Sequence, residues 1–195
     1  MIMKYFFLAA GILFFIAISC DDHSANPPGS NEVMPLKIGN AWNFRVITFY
    51  TSYTDTTFYS LRITGDTTID SKKHYLVSFG STTMIMINKY DGLYIRSSDG
   101  ADEKIFHYPA KVGDKFYNNK HDTCEVVSLS EKVIGPTGSF NCIFYESFYI
   151  TSNTYINCKT YVHPGIGLVL FKAFKKDYGK IVEDFREELM SYTIK

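Results

Sequence analysis

The chain has 195 residues, 46% of them hydrophobic and 16% aromatic, with 20 basic and 20 acidic side chains. That balance excludes the basic surface by which proteins hold nucleic acid. The length suits one domain with a sizeable core.

The first nineteen residues read as a signal. Lys4 gives a short positive start, and Phe6 to Ile16 is an almost unbroken apolar run. Ala17-Ile18-Ser19-Cys20 then resembles a lipobox, in which Cys20 is lipidated and becomes the mature N-terminus. A transmembrane anchor is the rival reading, but the run falls short of the roughly 20 apolar residues a span needs. Asp21 and Asp22 follow at once, where an anchor would carry Lys or Arg. A cleaved signal without lipid is the other alternative, and the cysteine placed directly after small residues speaks against it. Residues 1–19 are therefore expected to be a signal peptide. Residues 20–33 are expected to be a lipidated cysteine and a tether rich in turn formers. The expected location is extracytoplasmic, with the membrane a partner through acyl chains on Cys20.

Residues 34–195 are expected to form one all-β domain. Strand-favouring Tyr, Phe, Thr, Val and Ile dominate nearly every segment. Strands are predicted over 41–51, 56–69, 74–79, 83–90, 93–97 and 104–108. Others follow over 123–134, 140–150, 154–162, 168–174 and 187–194. Asp91-Gly92 signals a hairpin. A turn centred on Ser152-Asn153 would pair positions that sum to 305, setting Cys158 opposite Ser147. Val182–Met190 is the best helix candidate and a weak one. Ten or eleven short strands with regular turns point to an antiparallel, hairpin-built barrel or sandwich of lipocalin-like size. Alternation along 140–150 predicts that Phe140, Cys142, Phe144, Phe148 and Ile150 look inward. Asn141, Tyr145, Ser147 and Tyr149 would look outward.

One segment recurs. Pro35-Leu36-Lys37-Ile38-Gly39-Asn40-Ala41-Trp42 returns as Pro109-Ala110-Lys111-Val112-Gly113-Asp114-Lys115-Phe116. Proline sets φ, glycine permits positive φ, and Asn or Asp suits a turn. Either two ligand-gripping loops or two copies of a strand-launching turn would explain it. The second reading makes Trp42 and Phe116 core anchors.

Pro35 to Phe44 resembles the opening PLKxGNxWxY of small extracytoplasmic lipoproteins from Bacteroidota-type bacteria. Pro109–Asp114, Gly135–Cys142 and Pro164–Val169 are similar to later motifs of those proteins, in the same order. The family often carries Ala before the glycine near position 138, whereas this chain has Pro136-Thr137-Gly138. The resemblance implies an exported lipoprotein of the outer membrane or cell surface. It carries over no catalytic residue.

Chemistry is sparse. The sequence holds no Gly-x-Ser-x-Gly elbow, no His-Glu-x-x-His, no phosphate loop and no Cys-x-x-Cys. Neither cofactor nor metal is expected, although His121 and Cys124 are ligand types close in sequence, and zinc needs three or four such ligands. With Cys20 assigned to lipid, Cys124, Cys142 and Cys158 read as small buried side chains. Glu187-Glu188 are strand neighbours on opposite faces and read as solvated charge. Glu146 is the one acid considered for the inward face of its strand. Tyr145, Tyr149, Tyr155 and Tyr161 are the candidate ligand-binding residues, as an outward row able to contact a glycan, an apolar ligand or an envelope protein. Cross-strand pairing is the plainer explanation of the same row. Asp55-Thr56 and Asp66-Thr67 resemble O-glycosylation acceptors. The expected function is non-enzymatic binding at the cell envelope. A glycan-directed hydrolase and a purely structural envelope subunit are the alternatives.

Overall fold

A computed structural model of the chain describes residues 32–118, 122–151 and 154–195. The signal peptide, Cys20 and most of the tether lie outside these residues, as does His121. Twelve strands follow in chain order. They are β1 Ala41–Phe49, β2 Thr54–Ile69, β3 Lys72–Phe79, β4 Thr82–Lys89, β5 Gly92–Arg96 and β6 Asp102–His107. Then come β7 Lys115–Asn118, β8 Asp122–Gly135, β9 Gly138–Thr151, β10 Thr154–His163, β11 Gly167–Asp177 and β12 Lys180–Thr193.

All twelve form one antiparallel sheet in the order β6-β5-β4-β3-β2-β1-β12-β11-β10-β9-β8-β7. This is a meander joined through β1 and β12, with β6 and β7 at its ends. Those two ends also touch each other, so the sheet nearly closes into a barrel. Closure of this kind hides edge strands. The predicted all-β, hairpin-built class is what forms. The short β7 was not among the predicted strands, because four residues carry too little alternation to be read.

Two expectations need correction. Val182–Met190 is strand, inside β12, and not helix. Its Glu, Arg, Leu and Met favour helix intrinsically, but pairing with β1 and β11 overrides that preference. On β9 the inward face is misassigned beyond Cys142. Phe140 and Cys142 are buried as expected, but the buried side then switches to Ile143, Tyr145 and Ser147, and Phe148 is 45% exposed. Register shifts in β8 between Val126, Ser128 and Glu131 twist the hairpin at this point.

The recurring segment is a strand-launching turn, built twice. Gly39 N–H donates to the Ile63 carbonyl and Ile63 N–H to the Asn40 carbonyl, while Asn40 N–H closes on Lys37. Gly113, Val126, Asp114 and Lys111 repeat all three bonds. Gly39 and Gly113 have φ of 92° and 89°, which explains why each is glycine. Trp42 is 0% exposed and Phe116 8%. The turns launch β1 and β7, half a circuit apart, so each half of the barrel starts from the same device.

The core runs from Val33, Met34 and Leu36 through Trp42, Phe44 and Leu189 to Val126 and Tyr145. Residues 32–36 close one end. Gly165 N–H bonds to Glu32 and Val33 carbonyls, Asn88 Nδ2 donates to the Met34 carbonyl, and Trp42 Nε1 donates to the Ile166 carbonyl at 2.7 Å. The described residues thus hold a barrel, its end-plug and its core.

Candidate functional site

Strand pairing arranges the inward side chains in lateral rows. One runs Thr57, Val46, Glu187, Phe171, Thr160, Tyr145 and Val126, across seven strands from β2 to β8. The next, toward the β1–β2 turn, runs Asp55, Thr48, Phe185, Ala173, Cys158, Ser147, Cys124 and Phe116. Both rows begin exposed on β2 and end buried on β7 or β8.

Glu187 is the carboxyl of the first row. Tyr59 Oη donates to its Oε1. Burial holds the Glu187 carboxyl above the usual carboxylate range, although the bond from Tyr59 works the other way. Tyr59 stacks on Phe44 at 5.1 Å and meets Phe79 edge-on at 4.6 Å. Phe171 and Phe185 touch at 5.9 Å on the neighbouring strands. The result is one hydrogen-bonded acid in aromatic surroundings. Glu188, its sequence neighbour, points outward to Arg45 and Arg186. The expected opposite faces are therefore present, while the expectation of solvated charge is corrected for Glu187. Glu146 lies on the outer face and accepts from Asn157 Nδ2 at 3.0 Å, so it is not the inward acid. Sequence reasoning missed Glu187 because Tyr59, its partner, lies 128 positions away.

The tyrosine row does not form as expected. Tyr145 is 1% exposed and belongs to the core. Its hydroxyl donates to the His107 carbonyl at 2.7 Å, and its ring packs on Phe106 and Phe116. Tyr161 sits on the opposite, outer face, half-buried and stacked on Phe144 at 4.9 Å. The side chains of Tyr149 and Tyr155 lie outside the described residues.

Cys124 and Cys158 stand on either side of Ser147 in one row. The pairing that sums to 305 is the one observed. Next-but-one strands are about 9.6 Å apart, beyond the roughly 7 Å limit between Cα atoms for a disulfide. No disulfide links the three described cysteines, and all are buried. Burial pushes the Cys142 thiol up to about 12; burial, then the nearby Cys158, does the same for Cys124. Among the described residues, no group of three His, Cys, Asp or Glu could hold a metal ion. His74 is buried on the outer face, with Nδ1 on the Lys72 carbonyl at 3.1 Å and Nε2 3.8 Å from Asp102. Thr56 is exposed near the start of β2, and Thr67 is half-buried near its end.

No family model matches this chain, and no curated protein matches it. Two solved structures share its fold. One is a candidate exported protein with a YmcC-like fold from Bacteroides fragilis NCTC 9343, 13% identical, with a TM-score of 0.55 over 83% of this chain and 98% of that one. The other is a candidate lipoprotein from Parabacteroides distasonis ATCC 8503, 12% identical, with a TM-score of 0.53 over 85% of this chain and all of that one. At such identities the likeness shows a shared overall fold and nothing finer.

Proposed function

We propose that this protein is a non-enzymatic, ligand-binding module of the cell envelope, held at the outer membrane by lipid on Cys20. The lipobox-like Ala17-Ile18-Ser19-Cys20 supports export and anchoring. So does the likeness to a candidate exported protein and a candidate lipoprotein.

One observation carries the binding reading over the hydrolytic one. Along the two inward rows, no two acids stand on neighbouring strands at one level. Glu187 is bonded to Tyr59, and Asp55 lies at the exposed rim, two strands across and one row up. Ladder spacings put their Cα atoms about 12 Å apart. Glycan hydrolysis in its usual form sets two carboxyls on either side of one bond inside a cleft, whereas Asp55 is exposed at the hairpin tip, and an ester needs a nucleophile beside a base. A mainly apolar and aromatic interior with one hydrogen-bonded acid and a few hydroxyls instead has the make-up of a binding pocket.

A glycan- and ester-hydrolysis screen on residues 21–195 tests this. No turnover above buffer is expected. Turnover that disappears in Glu187→Gln would overturn the reading in favour of a hydrolase.

A further inference from the structure

Residues 32–36 close one end of the barrel, and the inward face is wetter toward the other. Around the plug the inward residues Trp42, Phe44, Val162, Val169 and Leu189 are at most 3% exposed. Toward the β1–β2 turn the same inward face becomes wet. Thr57 and Asp55 are exposed, Val46, Thr48, Glu187 and Phe171 are half-buried, and Phe79 is 40% exposed. Thr54–Phe58 are exposed on both faces, so this hairpin tip projects past the barrel, while Val46, Glu187 and Phe171 just below it stay half-buried over the sealed Phe44–Leu189 level. That half-buried level, beside the part-exposed Phe79, is the mouth of the interior.

The polar pair stands at the floor of this opening. Glu187 lies one step above the sealed Phe44–Leu189 level, and Tyr59, which pairs with Phe44 at that level, reaches up to it with its hydroxyl. Val46, Phe171 and Phe185 share the way out with Thr57, Thr48 and Asp55. An acid placed there repels an anionic head group and accepts a hydrogen bond from a donor. The aromatic wall suits a flat or elongated apolar body.

Resting on the binding reading above, we propose that the open end takes an apolar molecule head-first. A hydrogen-bond-donating head, an amine or hydroxyl, meets the Glu187 carboxyl, and the body lies along Val46, Phe79 and Phe171. Anionic amphiphiles are excluded by the same carboxyl.

Two fluorescent probes with one scaffold test this on residues 21–195. N-phenyl-1-naphthylamine is an uncharged N–H donor. 1-Anilinonaphthalene-8-sulfonate adds one negative charge. Expected is saturable binding of the amine, with the sulfonate weaker by about tenfold or more, the factor of about 1.4 kcal/mol. Glu187→Gln should narrow that gap to within about threefold by strengthening the sulfonate. Val46→Phe should fill the opening and weaken the amine by about tenfold or more, and Thr57→Phe serves the same purpose if Val46→Phe fails to fold. Phe58→Ser, on the outer face and 70% exposed, should leave binding unchanged. Equal binding of both probes whatever stands at 187 would overturn the proposal. So would amine binding that survives both fillers or is lost in Phe58→Ser. Turnover in the hydrolysis screen sinks the non-enzymatic reading whatever the probes do, whereas failure here with no turnover sinks the interior site alone.

Discussion

Replacing Trp42 with alanine removes the largest fully buried side chain of the barrel. Two losses add. A large aromatic deleted from a core costs about 3–5 kcal/mol through lost transfer energy and the cavity left behind. The Ile166 carbonyl also loses the donor 2.7 Å away, and an unsatisfied buried acceptor costs about 1–3 kcal/mol. Trp42→Phe keeps most of the packing and should show mainly the second loss. Phe116→Ala, at the equivalent turn, is slightly more exposed and breaks no such side-chain bond, so it should fall at the low end of the first range. Domains of this size are stable by about 5–15 kcal/mol, so Trp42→Ala should leave a marginal fold. Urea unfolding followed by far-ultraviolet circular dichroism measures the series, since Trp42 is the sole tryptophan and its fluorescence goes with it. At slopes of about 1–3 kcal/mol per molar urea, the Trp42→Ala midpoint should drop by more than about 1 M. Val112→Ala, 64% exposed in the same repeat, is the control and should stay within about 0.5 kcal/mol. A loss below about 1 kcal/mol for Trp42→Ala would refute the assignment of these turns as core anchors.

Glu187 should give stability a measurable pH dependence. Its folded carboxyl holds its proton more tightly than the ordinary value of 4.5, so the folded state binds more protons than the unfolded state above that pH. Its contribution therefore falls as pH rises from about 4.5 through the raised folded value, and Glu187→Gln should remove that decline. Parallel pH profiles for the two proteins would count against the buried acid. The thiols of Cys124, Cys142 and Cys158 should resist a disulfide reagent in the folded domain at pH 8 and all react in denaturant. Fast native labelling would show that the interior near Ser147 is open. Cys20→Ala should move the protein from membrane to soluble fractions, and unchanged membrane association would remove lipid as the anchor.

Much of the fold was legible because alternation and turn chemistry are local. The paired sum of 305 for β9 and β10 needed only the position of one turn. The two strand-launching turns were visible because proline, glycine and an aromatic recur at fixed spacing. What was illegible depends on distant partners. β12 carries helix-favouring residues, and only β1 and β11 make it a strand. The inward face of β9 switches beyond Cys142 because its partner β8 bulges, which the sequence of β9 does not record. Tyr145 looked like a surface residue for that reason. The candidate site was less legible still. Glu187 reads as one more charged residue until the barrel closes and brings Tyr59 across β1 to meet it.

The most direct test is a methyl-resolved NMR titration of residues 21–195 with N-phenyl-1-naphthylamine. A barrel sealed at the plug and open past Phe79 predicts shifts at Val46, with Val33 and Val162 unmoved, since both are at most 1% exposed at the closed end. Shifts at the outer, exposed Val127 and Leu129 while Val46 stays still would contradict it.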